Sequence, residues 1–309
     1  MYKCNAIKEC FKSNKHNSVV NDIIICSGLN NLNGGFLMSY ILTRDNTKIY
    51  YEDEGNGQTI LLIHGWAANR NSFAVAKKYL SKNYRVITYD LRGHGLSEVT
   101  KHGLTMESFA VDLEDLICKL GLDDLIIMGW SMGAQVLFKY IEIYGCKSLK
   151  GIGIIDMTPK LINDDSWKLG LYNGSFTHED NLAYLTGMCN HWMSFMDDFY
   201  YTVSQDLTEE QLKYIRKDNA RNTPHVTIAL WIAMAKGDYR EVMTKINVPT
   251  IIMYGDKHTL YSKETFNYLN SQIPNSQLVK FEGCTHILVI ENPVKFCNVV
   301  EEFIENIRD

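Results

Sequence analysis

Short apolar runs rich in β-branched residues recur along most of this chain, and each one stops abruptly at a turn residue. TILLI at 59–63 ends at His64-Gly65, RVITY at 85–89 ends at Asp90, and LIIM at 125–128 ends at Gly129. GIGII at 151–155 ends at Asp156, TIIMY at 250–254 ends at Gly255, and QLVKF at 277–281 ends at Glu282-Gly283. A continuous apolar run of this length marks a strand buried on both faces. Amphipathic helical patterns lie between the runs, at 106–120, 134–144, 263–272 and 293–307. Strands of this kind alternating with helices require a mostly parallel central sheet covered by helices on both faces, an α/β fold. Upstream, SYILTRDNTKIYYEDEG at 39–55 reads as a two-stranded hairpin.

Two segments depart from that rhythm. Residues 157–246 carry no buried-strand signature, only helical stretches thick with aromatics and methionine, including Trp167, Trp192, Phe195, Phe199, Tyr200 and Trp231. Such an insertion between two core strands predicts a helical cap over the C-terminal edge of the sheet, where open α/β sheets bind ligands. The core is then 38–156 together with 247–309. Most of the cap aromatics are expected to pack it onto the core rather than to line a site. Residues 1–37 are rich in Asn and Lys and hold no sustained period, so they read as a disordered extension. A start of translation at Met38 is the other reading, motivated by Gly34-Gly35, whose tandem codons can spell a bacterial ribosome-binding sequence.

A net charge of −5 offers no basic surface for nucleic acid. No stretch approaches the roughly 20 apolar residues that span a bilayer. The eight cysteines include no CxxC pair and several sit inside apolar runs, as expected of core thiols in a reducing cytoplasm.

The strongest chemical signal is Gly129-Trp130-Ser131-Met132-Gly133, set between a buried strand and an amphipathic helix. This is the G-x-S-x-G pattern, in which a sharp strand-to-helix turn projects the serine hydroxyl above a sheet. A serine needs a base within hydrogen-bond reach to become a nucleophile. Nine histidines compete, and His286 lies just past the last strand, where the order Ser, acid, His places the base. Among the others, His16 falls in the N-terminal tail, His102 in a polar loop, His178 and His191 in the cap, and His64 and His94 in turns with other uses. His64-Gly65-Trp66 follows the third strand. The backbone N–H groups of Trp66 and of Met132, the residue after the serine, are the expected oxyanion donors.

The segments HGW at 64–66, Tyr89-Asp90-Leu91-Arg92-Gly93-His94-Gly95-Leu96-Ser97 and GWSMG at 129–133 together resemble the α/β-hydrolase superfamily over about residues 40–309. The branch suggested holds small carboxylesterases, pimeloyl-carrier-protein methyl esterases and cofactor-free haloperoxidase-like enzymes. The resemblance implies that Asp90, Arg92 and His94 are scaffold, and that a serine at 131 excludes the related dehalogenases and epoxide hydrolases, which carry Asp there. It also exposes a departure. The acid commonly stands three residues after the glycine ending the seventh strand, here Gly255, and that position is His258. Asp256 is one candidate for the acid. Asp156, at the end of the sixth strand, is favoured on placement. Thr285 stands before His286 where the family usually has glycine.

The expectation is therefore a serine hydrolase cleaving a small-molecule carboxylic ester through an acyl-serine, with a hydrophobic acyl or aryl group suggested by the aromatic cap and no metal or organic cofactor. Perhydrolase or haloperoxidase-like activity and acyl thioester cleavage are rivals within the enzyme class. A non-catalytic ligand-binding protein on the same fold is the rival outside it.

Overall fold

The computed structural model describes residues 39–203, 208–219, 221–257 and 260–307. The expectations for residues 1–37 and for a start at Met38 lie outside these, as does His258. Eight strands form one sheet: β1 (Ser39–Leu42), β2 (Lys48–Glu54), β3 (Thr59–Ile63), β4 (Arg85–Tyr89), β5 (Leu125–Trp130), β6 (Leu149–Ile155), β7 (Thr250–Gly255) and β8 (Ser276–Phe281). Their spatial order is β1-β2-β4-β3-β5-β6-β7-β8. The hairpin β1–β2 is antiparallel and joins β4 antiparallel, while every pair from β4 to β8 is parallel. All residues of β3, β5 and β7 are buried, which is why these strands read as continuous apolar runs rather than alternating ones. β5 extends to Trp130, two residues beyond its sequence signature, because Gly129 and Trp130 still pair with Ile154 and Ile155 of β6.

Helices α1 (Ala74–Leu80), α2 (Met106–Leu120) and α3 (Met132–Tyr144) follow β3, β4 and β5 in turn. Helix α2 starts where the Thr105 side chain accepts from the Ser108 N–H and stops at Gly121, whose φ of 59° closes the last turn. Between β6 and β7 come α4 (His178–Asn190), α5 (Trp192–Val203), α6 (Glu209–Asp218) and α7 (Pro224–Lys236). Thr177 and Asp180 form a reciprocal capping box that opens α4. Helix α8 (Lys263–Gln272) links β7 to β8, and α9 (Pro293–Asn306) ends the described chain. Pro293 occupies the first turn of α9, while the Asn292 side chain accepts from Lys295 N–H.

The D-x-R-G-H-G-x-S loop after β4 is knitted into the core. Asp90 Oδ1 accepts from Arg70 N–H and Oδ2 from Leu96 N–H, each at under 3 Å. Arg92 is 1% exposed and its Nε donates to Asp112 Oδ2 at 2.6 Å. His64 and His94 pack edge to face with ring centroids 5.1 Å apart. Their burial pushes the imidazole pKa down, to about 4 for His64 and about 3 for His94. Residues 90–97 thus behave as scaffold, as the resemblance implied.

Candidate active site

The turn at Ser131 follows from two glycines. A side chain at Gly129 would place its Cβ 2.4 Å from the Gly133 carbonyl, and one at Gly133 would meet the Ile63 carbonyl at 2.3 Å. With both absent, α3 begins directly over the end of β5, and Ser131 is held at φ 55°, ψ −123°. Backbone strain in a non-glycine residue persists only where the surroundings impose it. Here Ser131 N–H donates to Ile155 O at 3.0 Å, pinning the turn to the neighbouring strand.

His286 lies in the loop between β8 and the turn Leu288–Glu291. Its Nε2 is 3.0 Å from Ser131 Oγ and its Nδ1 is 2.9 Å from Asp156 Oδ1. With Nδ1 carrying the proton, Nε2 is left to accept from the serine hydroxyl. Asp156 occupies the position after β6 at φ 46°, and its Oδ2 accepts from Gly255 N–H at 3.0 Å. The carboxylate is thus oriented on one oxygen and free to receive the imidazole on the other. His286 and Asp156 are each 4% exposed, so their contact is little screened by solvent. Asp256 is elsewhere: its Oδ1 accepts from Gly283 N–H at 2.7 Å and its Oδ2 is 3.8 Å from Lys280 Nζ. Of the two aspartates weighed from the sequence, Asp156 is the one hydrogen-bonded to His286.

Trp66 lies in the turn after β3, and Met132 opens α3 immediately after Ser131. Among the described residues neither backbone N–H is hydrogen-bonded to another group. Gly65 permits the approach of the two segments, since a Cβ there would lie 3.0 Å from Ser131 Cβ. The Trp66 indole donates to Thr227 O on α7 at 2.8 Å, and its ring meets Phe199 of α5 and Trp231 of α7 edge to face. The Trp66 side chain is thus anchored in the helices between β6 and β7.

A cavity opens beside Ser131 and His286. Trp66, Ile287, Val289 and Ile290 line it from the sheet side, and Phe199, Tyr200 and Val203 from α5. Asn71 and Asp218 line it as well, and Asn69 and Asn71 each donate a side-chain amide to the Asp218 carboxylate, at 2.8 and 2.9 Å.

Some contributors carried no sequence signal. Trp130 sits at the variable position of G-x-S-x-G, yet its indole donates to His286 O at 2.9 Å and holds the loop bearing the imidazole. Gly255 carries only the signature of a strand end, although a Cβ there would lie 2.3 Å from Thr285 O. Nothing in the pattern marks Asn69, Asn71 and Asp218; the aspartate is distant in sequence from the two asparagines and meets them only in the fold. Among the described residues no group of three or more His, Cys, Asp or Glu is arranged to hold a metal ion.

The family model for the α/β-hydrolase fold matches residues 58–293. A non-heme chloroperoxidase of Kitasatospora aureofaciens is 27% identical over 277 residues, covering 86% of this chain and 99% of that protein. A pimeloyl-[acyl-carrier protein] methyl ester esterase of Nitrosomonas europaea is 22% identical, covering 80% of this chain and 96% of that one. Among solved structures, an esterase from Exiguobacterium antarcticum superposes with a TM-score of 0.81 at 27% identity, covering 87% of this chain and all of that one.

Proposed function

From the premise that the chain belongs to the α/β-hydrolase fold family, we propose that it cleaves carboxylic esters through an acyl-serine, with Ser131 as nucleophile, His286 as base and Asp156 as the acid. The observation that carries this reading is the unbroken relay Asp156–His286–Ser131, whose hydroxyl end borders an apolar cavity. His286 Nε2 takes the Ser131 proton as Oγ attacks the ester carbonyl carbon. Asp156 holds the Nδ1–H tautomer and stabilises the imidazolium that forms. The N–H groups of Trp66 and Met132 receive the oxyanion; as fixed dipoles they need no reorganisation during the reaction. The imidazolium then protonates the leaving alcohol, and water activated by the same ring hydrolyses the acyl-serine.

The helices of residues 157–246 act in this account as a cap. Phe199, Tyr200 and Val203 reach the cavity, which suits a hydrophobic acyl or aryl group. Perhydrolysis is the second reading, favoured by the likeness to a chloroperoxidase: hydrogen peroxide would replace water in the second step, taking the acyl group away as a peracid while a proton returns to Ser131 Oγ. Among the described residues no helix is long and apolar enough to cross a membrane. A cytoplasmic location accords with the described cysteines, all of them free thiols.

The test is turnover of short p-nitrophenyl esters. Ser131→Ala is expected to fold normally and lose about a million-fold in kcat. Turnover surviving in that variant would remove Ser131 from the mechanism.

A further inference from the structure

The residue before His286 poses a problem of proton counting. Thr285 is fully buried, and its Oγ1 lies 2.7 Å from Val203 O, at the end of α5, and 2.9 Å from Glu291 Oε1. Ile287 N–H approaches the same oxygen at 3.4 Å, while Glu291 Oε2 accepts from Thr285 N–H at 2.6 Å. A threonine hydroxyl has one proton to give and two lone pairs to receive with. Val203 O can only accept. If Glu291 is ionised, Oε1 also only accepts, and one of the two short contacts sets oxygen against oxygen without a proton between them. If Oε1 carries a proton, each contact has a donor: Glu291 gives to Thr285, and Thr285 gives to Val203.

We infer that Glu291 is a positioning residue for His286 that works in its protonated form, its Oε1–H donating to Thr285 Oγ1 so that the threonine hydroxyl ties the His286 turn to the end of α5. The inference rests on the reading of His286 as the base. It adds a link between that base and the helix whose Phe199, Tyr200 and Val203 line the cavity. Burial raises the Glu291 pKa, and the Asp156 charge at the end of β6 adds to the rise. The Thr285 hydrogen bonds and Lys257, just past β7, oppose it. Cys284, in the same loop, is itself pushed up to about 12 by burial, so it stays a neutral thiol and adds no charge. Lys295 on α9 directs its ammonium to Lys280 O. Glutamine at 291 reproduces the protonated form, offering an N–H to Thr285 Oγ1 and a carbonyl to Thr285 N–H at every pH.

The experiment compares wild type, Glu291→Gln and Glu291→Ala in the pH dependence of kcat and KM for p-nitrophenyl acetate, together with their infrared difference spectra. The sign is fixed: a raised acid is protonated at low pH and ionises as pH rises. Wild type should therefore fall below Glu291→Gln on the alkaline side, while the two stay within about threefold on the acid side. Glu291→Ala strands the buried Thr285 N–H and removes the donor to Thr285 Oγ1, and should lose about tenfold in kcat with KM little changed. The carbonyl stretch of a protonated carboxylic acid should appear in wild type and vanish in Glu291→Gln. Identical infrared spectra, an alkaline decline retained by Glu291→Gln, or wild-type kcat in Glu291→Ala would each overturn the inference. Should wild type turn over no ester at all, the reaction reading fails, while the infrared comparison still decides the proton on Glu291.

Discussion

At the scale of single residues, the site is built from side chains held by backbone that only certain residues tolerate. Ser131 and Asp156 both sit at positive φ, 55° and 46°, at the ends of adjacent parallel strands. Asp156 is also tethered to Gly255 N–H, which leaves Oδ1 for His286. Replacing it by Asn keeps the shape but removes the charge that holds the imidazole tautomer. Asp156→Asn is expected to lower kcat about ten-thousand-fold, whereas Asp256→Asn stays within a few-fold of wild type. Steady-state kinetics on the two purified variants separate them; the opposite ranking would place the acid at 256. The sequence left this choice open for a physical reason. A residue count from Gly255 points to His258 and placement favours Asp156, but only the folded chain brings the Asp156 carboxylate within 2.9 Å of His286 Nδ1.

Among elements, the strands and their order of chemistry were legible because burial on both faces writes itself as a continuous apolar run. The nucleophile turn was legible too, since glycine at 129 and 133 is demanded by approaches of 2.4 and 2.3 Å. What stayed hidden were the links between elements. The sequence pattern marks Trp66 for its backbone N–H alone, yet its indole fastens the loop after β3 to α7 through Thr227 O. Trp66→Phe keeps a ring against Phe199 and Trp231 but strands that carbonyl. A loss of about 1 kcal/mol in stability is expected, with a kcat decline for esters larger than any change in KM. Urea unfolding and Michaelis kinetics on one preparation test both parts. An unchanged kcat would show that the loop holds its donor without the anchor.

For the molecule as a whole, His64 after β3 and His94 in the loop of residues 90–97 bring two neutral imidazoles into the core. His64 Nε2 accepts from Leu91 N–H at 3.0 Å, and His94 Nε2 has no partner among the described residues. Both are held well below the ordinary histidine pKa of about 6.5, at about 4 and about 3. The unfolded chain therefore binds more protons than the folded one in the window below pH 6.5. Stability from this source is full above that value and drains away as pH falls toward 4 and then 3. The urea midpoint should be lower at pH 5 than at pH 7; an equal or higher midpoint at pH 5 would deny these rings a share in the acid response.

The central claim is that Ser131 is an activated nucleophile and not a polar turn residue in a binding protein. Labelling with a fluorophosphonate probe, followed by peptide mapping, tests it without knowledge of the natural ester. Wild type should carry one adduct, on Ser131, with labelling absent from Ser131→Ala and strongly slowed in His286→Ala. An intact, folded protein that takes no label at Ser131 would contradict the account.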